Sequence, residues 1–341
     1  YNLLYNLFMK TKNFLIPDGI EYYMPPEAEK FEQLKYKILG IYKKYKYKYV
    51  IPPIFDNLDN LLNLKSKDLD NETIIINNNE TGSNIGIRAD ITPQISKIDY
   101  QSLKENNSSR FSYMGDIMRP SSKIFERKNP YQIGAEYFGK LDKKVDIEII
   151  KLMIDIVSLS KEKKIIVELG DLSFVNSLLS SLEISYQSKL QLIDLINLKS
   201  KTEIKEFFSE YNLASKKLTF LLELLDLSGD IKILKELKSV IKKFKMDNLS
   251  KLNDLSFISN AIHEFKSSSE VHIDLCELHG FEYQTSIIYS VYLPNLRHEI
   301  ARGGRYDAYE LTNGAIRTAT GFSLDLKDIL NLSIGKKDSY V

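Results

Sequence analysis

The chain has 341 residues, 43% of them hydrophobic, which is enough for one large domain or two and for a substantial core. Lys+Arg 47 against Asp+Glu 46 leaves a net charge of +1, so bulk charge announces no polyanion partner, although a local RNA surface is compatible with it. One cysteine, Cys276, excludes an internal disulfide and a cysteine zinc cluster; the four histidines lack metal-ligand spacing, and no run reaches the length of a membrane span.

The N-terminus has no charged region followed by an apolar stretch and a cleavage site, so a cytoplasmic protein is expected. Tyr1 to Phe8 precede Met9, the expected natural start. Pro25-Pro26 followed by Glu27 and Glu29 predicts a helix opening, since proline suits the first turn and carboxylates the positive end of the dipole. Phe31, Leu34, Ile38, Ile41 and Tyr45 then recur at helical spacing. Lys48 to Ile54 reads as a strand edged by Pro52 and Pro53, because proline cannot donate to a central ladder. Thr73 to Ile76 and Ile85 to Arg88 flank the turn-forming NNNETGSN as a hairpin that delivers Arg88-Ala89-Asp90-Ile91-Thr92-Pro93. On an extended chain Asp90 and Thr92 share a face and offer acceptors to an ammonium group; equally, they cap the helix that follows.

The stretch from Phe111 to Phe138 is the most informative. Phe111 to Met118 and Tyr131 to Phe138 read as strands joined by a polar, charge-dense loop that starts at Arg119. Period-2 alternation puts Gln132, Gly134 and Glu136 on one face and Tyr131, Ile133, Ala135 and Tyr137 on the other. A small polar ligand fits the first face, and so does the solvated side of a plain hairpin. Val145, Ile149, Leu152, Met153, Ile156 and Leu159 predict a helix, and Ile165 to Leu169 a strand. From about Phe174 to Phe265 glycine almost vanishes and leucine and lysine fall three and four apart, which predicts a helical insertion on an α+β core. Its lysine runs, such as Ile241 to Lys245, read as solvated helix faces. Val271 to Leu275 and Thr285 to Leu293 return to strand pattern around HGFEYQ at 279–284. In ARGGRYD at 301–307, the adjacent Gly303 and Gly304 suit either close approach of backbone to a ligand or strand, or a tight turn. The expected organisation is an extension at 1–13, a core at 14–172 and 267–335, and an insertion at 173–266.

PPEAE, GIRADITPQ, QIGAE, ARGGRYD and ATGFSLD together resemble the regulatory subunits of ATP phosphoribosyltransferase, a family similar to histidyl-tRNA synthetase. The resemblance runs from about Ile16 to Leu330 and is weak only through the helical middle. It implies an α+β fold, a class II aminoacyl-tRNA synthetase-like core with a mostly antiparallel sheet flanked by helices. It places Pro53 in motif 1, the dimer strand, against the alternative of an edge strand in a monomer. The ligand implied is L-histidine, with no cofactor and no metal: Asp90, Thr92 and Gln132 for its ammonium, Arg119 for its carboxylate, and Glu136 with Tyr283 or Gln284 for its imidazole.

Departures from the synthetase pattern point away from catalysis. His279 stands where synthetases carry the arginine that assists attack on ATP, and Ser121 replaces a glutamate that contacts the ATP base. Asp325-Leu326-Lys327-Asp328 fills Gly-Leu-Glu-Arg, so an aspartate replaces the arginine on the γ-phosphate. Unit charges ~4 Å apart interact by about 4 kcal/mol at an effective dielectric near ~20, so the reversal repels a triphosphate. No compensating arginine is evident, and Lys128 is expected near the second adenylate-facing arginine of the loop. The chain stops at Val341, and an anticodon-binding domain is expected to be absent. The resemblance therefore implies a non-catalytic regulatory subunit of a short-form ATP phosphoribosyltransferase, a homodimer within a hetero-oligomer, a hetero-octamer by the resemblance, with no tRNA and no membrane. The alternative is a truncated or divergent synthetase-like enzyme that forms histidyl-adenylate.

Overall fold

The structure, a computed structural model, describes residues 18–62, 64, 67–77, 84–102, 108–120, 127–246, 248–266, 268–278 and 283–335. Met9, Ser121 and His279 lie outside them.

Among the described residues, nine strands form one sheet. In spatial order they are β1 (Lys48–Val50), β5 (Ser109–Asp116), β6 (Tyr131–Phe138), β12 (Ile316–Asp325), β11 (Ala301–Glu310), β10 (Gln284–Tyr292), β7 (Ile165–Asp171), β9 (Ser269–Asp274) and β8 (Ser228–Gly229). Every pairing from β5 through β7 is antiparallel, whereas β1 joins β5 and β9 joins β7 in parallel. A small sheet of β2 (Phe55–Asn57), β4 (Asn84–Ile87) and β3 (Ile74–Asn77) contains the expected hairpin. The α+β, mostly antiparallel architecture agrees with the pattern of the sequence. Gly303 and Gly304 lie inside β11, paired on both sides, so the tight-turn alternative is replaced by close strand packing.

The two faces of the large sheet bury different cores. Helix α1 (Glu27–Lys44) contributes Leu34, Ile38 and Tyr42 to the larger one. Two short helices, α2 (Leu58–Leu61) and α3 (Lys67–Glu72), follow, then α4 (Thr92–Ser102) and α5 (Lys143–Val157). Asp142 caps α5, its side chain accepting from the amides of Lys144 and Val145, and the helix lays Ile149, Met153 and Ile156 in the same core as Ile133 and Ala135 of β6. Six helices, α6 to α11 (Ser173–Ser181, Tyr186–Asn197, Lys201–Glu210, Ser215–Leu225, Ile233–Phe244 and Leu249–Phe265), separate β7 from β9 and extend that core. Helix α12 (Leu326–Ser333) follows β12 directly. The opposite face carries the smaller core of Tyr113, Phe138, Tyr306 and Ala319 under Ile91 and Ile95 at the start of α4.

A buried ion pair ties α4 to the sheet. The Asp99 side chain is fully buried; its Oδ2 accepts from Arg317 Nε at 3.0 Å and from the Tyr309 hydroxyl at 2.5 Å. Removing the cation strands a buried carboxylate, so Arg317→Met should lower the unfolding free energy by about 3–5 kcal/mol in urea titrations. The double variant Asp99→Leu/Arg317→Met should recover part of that; a single-variant loss below about 1 kcal/mol would contradict the assigned role.

Candidate functional site

The face beneath α4 is an interior one, not the solvated side of a hairpin: Gln132 is 3% and Glu136 2% exposed. Glu136 Oε1 accepts from Tyr113 at 3.2 Å and Thr92 Oγ1 at 3.3 Å, and Oε2 accepts from Tyr306 at 2.9 Å. Its carboxyl lies over Gly321, its register partner in β12, where an added Cβ would sit 1.7 Å from Oε2. Only glycine leaves that space. Burial pushes the Glu136 carboxyl up to about 8; the hydrogen bond from Tyr306 opposes the rise, the Asp90 carboxylate adds to it, and the bonds from Tyr113 and Thr92 oppose it.

Asp90 takes the helix-start role that the sequence left open, and it also lines a cavity. Its Oδ1 accepts from the Thr92 amide at 2.8 Å, steadying the first turn of α4, and from Gln132 Nε2 at 3.1 Å. Gln132 Oε1 in turn accepts the Ile91 amide at 2.8 Å, which locks this turn to β6. The expected extended pair is thus a helix start, yet Asp90 and Thr92 still line one open cavity together with Arg119, Tyr283 and Gln284. Arg119 Nε donates to the Ala89 carbonyl at 3.2 Å and lies 3.3 Å from Glu72 Oε2. Tyr283 meets Tyr306 edge-on at 6.5 Å, and Gln284 is buried with its amide above Gly304. Glu136 lies beneath this cavity, reaching its wall through Thr92, and Gln132 lines the neighbouring one.

That neighbouring cavity shares Arg119 and Arg302 with the first. Its inner end holds Arg127, whose side chain is only 5% exposed. Arg127 Nε donates to Glu21 Oε2 at 2.6 Å, and Nη1 donates to Asp325 Oδ2 at 3.0 Å and to Asp328 Oδ1. His298 Nε2 sits 3.3 Å from the other Asp328 oxygen. Burial raises the Asp325 carboxyl to about 6. At Asp328 burial acts in the same upward sense, but hydrogen bonds from His298 and Arg127 and the Arg127 charge hold the carboxyl below its usual value. Arg127 thus answers the charge of the protein's own carboxylates, and the neighbouring Lys128 lays its side chain along Gly19 and accepts the Arg119 amide with its carbonyl.

Tyr113, Tyr306, Arg127 and Arg302 were not among the residues expected in the site. Alternation gives a signal for two of them, since Arg302, Gly304 and Tyr306 share a face of β11 with the site. Pro53 is exposed, and its carbonyl accepts from Arg88 Nη1 at 3.0 Å and Gln94 Nε2 at 3.0 Å, anchoring the segment after β1 to α4. One set of metal-ligand type occurs among the described residues, Glu168, His272 and Asp274. Asp274 pairs there with Lys199 and accepts the Cys276 amide, and His272 contacts Ser228 at 2.9 Å, so protein partners serve both.

A carboxyl with a raised native pKa binds its proton more tightly when folded. Glu136 thus adds stability that is complete below about pH 4.5 and is lost as the pH rises through about 8. Glu136→Gln, which cannot ionise, should gain on the wild type by up to about 1.4 kcal/mol per pH unit across that window. Thermal unfolding at pH 5.5 and 8.5 checks this: a difference between the two proteins that does not change with pH would contradict a protonated Glu136.

The histidyl-tRNA synthetase family model matches residues 19–329. An ATP phosphoribosyltransferase regulatory subunit from Thioalkalivibrio sulfidiphilus is 33% identical over 324 residues, covering 95% of this chain and 82% of its own. One from Methylococcus capsulatus is 31% identical over 329 residues, covering 96% and 81%. A solved ATP phosphoribosyltransferase regulatory subunit/histidyl-tRNA synthetase from Bacillus halodurans superposes with a TM-score of 0.79 at 21% identity, covering 95% of this chain and 84% of that one. A chain of the ATP phosphoribosyl transferase (HisG:HisZ) complex from Thermotoga maritima does so with a TM-score of 0.66 at 18% identity, covering 86% and 96%. The last two show the shared fold, and the first two, similar along nearly the whole chain, show the lineage: the chain belongs to the ATP phosphoribosyltransferase regulatory subunits, built on the histidyl-tRNA synthetase fold.

Proposed function

We propose that this chain is the non-catalytic regulatory subunit of a short-form ATP phosphoribosyltransferase, at the first step of L-histidine biosynthesis, and that it binds free histidine as the feedback signal. One observation carries this: the amino-acid cavity keeps its acceptors and its buried carboxyl, while Arg127 in the nucleotide half is spent on Glu21, Asp325 and Asp328. A triphosphate arriving there would have to displace three carboxylates from a buried guanidinium and then face them. An amino acid enters a cavity whose Arg119 faces one glutamate, Glu72, rather than three carboxylates. Its ammonium would take Asp90 and Thr92, with Gln132 orienting Asp90. Its carboxylate would face Arg119. The imidazole would enter beside Tyr283 and Gln284 toward Glu136, which then accepts an N–H once it has shed its proton.

A homodimer within a hetero-octamer suits the surface. Ile51 (76% exposed), Pro53, Ile54 and Phe55 (57%) follow β1, and Ile76 (41%) lies on the Phe55 face of the small sheet, exposed apolar surface of the kind that a partner subunit covers. No helix among the described residues is long and apolar enough to cross a membrane, in keeping with a cytoplasmic complex.

Mixed with the short phosphoribosyltransferase from the same source, the chain should raise phosphoribosyl transfer to ATP and make it sensitive to histidine. Because coupling between two ligands is reciprocal, the complex with Glu136→Ala should stay active while its inhibition by histidine weakens about 30- to 1000-fold. Wild-type inhibition in that complex would place the feedback site elsewhere, and a catalytic subunit indifferent to the added chain would contradict the regulatory role.

A further inference from the structure

Charge in the amino-acid cavity does not balance around Arg119 alone. Arg119 is already committed, to the Ala89 carbonyl at 3.2 Å and to Glu72 Oε2 at 3.3 Å, and the same cavity also exposes Asp90 and Glu277. A carboxylate brought against an arginine that a glutamate already neutralises gains little and meets the repulsion of that glutamate. A second cation is required, and among the described residues that line this cavity Arg302 is the one other cationic side chain.

Its position in the sheet suits the task. Arg302 lies on the site face of β11, between Ser290 of β10 and Ser323 of β12 in register, and these small neighbours let its stem run across the strands. Ser290 lines the amino-acid cavity and Ser323 the adjoining one; Arg302 lines both and stands at their boundary. Its side chain is 47% exposed, within reach of a ligand, and the Glu299 carboxylate lies 3.5 Å away in a solvated contact.

We propose that Arg302 is the specificity-determining cation of the site, closing with Arg119 on the carboxylate of a free amino acid. A guanidinium fork matches a carboxylate with two parallel hydrogen bonds, which an amide or ester cannot match in charge. The site thereby selects the unactivated amino acid over carboxyl-modified forms. This rests on the histidine reading above.

Calorimetric titration of the full chain with L-histidine and with L-histidinamide, which lacks only the carboxylate charge, tests it. The wild type should prefer histidine by about 10- to 100-fold. Arg302→Met should weaken histidine by a similar factor and leave histidinamide within about twofold, so that the preference collapses, and Arg302→Lys should restore part of it. A merely structural role would weaken both ligands alike. If the wild type binds histidine and Arg302→Met keeps the full preference, the assignment to Arg302 is overturned while the histidine site stands. If the wild type binds neither ligand, the histidine reading falls and this inference with it.

Discussion

A guanidinium as deeply buried as that of Arg127 must be met by negative charge, and the whole nucleotide half of the cleft is arranged to supply it. Glu21 comes from the segment before α1, and Asp325 and Asp328 from the junction of β12 with α12, so two separated parts of the chain converge on one side chain. Asp325 adds a cap, accepting the amides of Lys327 and Tyr131 through its other oxygen, and thus fixes where the strand ends and α12 begins. On the proposed reading, the same network that stabilises this corner of the fold also engages the cation that a triphosphate would need.

The amino-acid half is governed by a different constraint, the space above glycine in a sheet. Gly134 makes room for the Tyr113 hydroxyl, Gly321 for the Glu136 carboxyl and Gly304 for the Gln284 amide, so polar groups lie flat where side chains would otherwise stand. Three hydroxyls then satisfy a carboxyl that water does not reach. The α4 start, locked by Gln132 and Asp90, covers this layer and presents Thr92 to the cavity.

Much of this was legible where chemistry follows a local period. Alternation put Gln132, Gly134 and Glu136 on one face, and the same rule applied to β11 reaches Arg302 and Tyr306. Whether that face was solvated could not be read locally, because the helix that covers it, α4, lies earlier in the chain and reaches it only through tertiary packing. Asp90 and Thr92 were ambiguous for a physical reason: the acceptor that suits an ammonium also suits a helix amide, and here Asp90 serves the helix while lining the cavity. Arg127 was missed because it follows a loop with no period, and its partners lie roughly a hundred and two hundred residues away. The unexplained negative charge of Asp325 and Asp328 was the available hint, since two neighbouring carboxylates, one buried and one half-buried, call for a cation.

On the proposed reading, one of two adjoining cavities is open to an amino acid while the other is filled by the protein's own charges. Titrating the purified chain separately with L-histidine and with magnesium-ATP, by calorimetry at one pH and ionic strength, measures this directly. The account predicts saturable heat from histidine and none from ATP up to millimolar concentration; saturable ATP binding without histidine binding would contradict it.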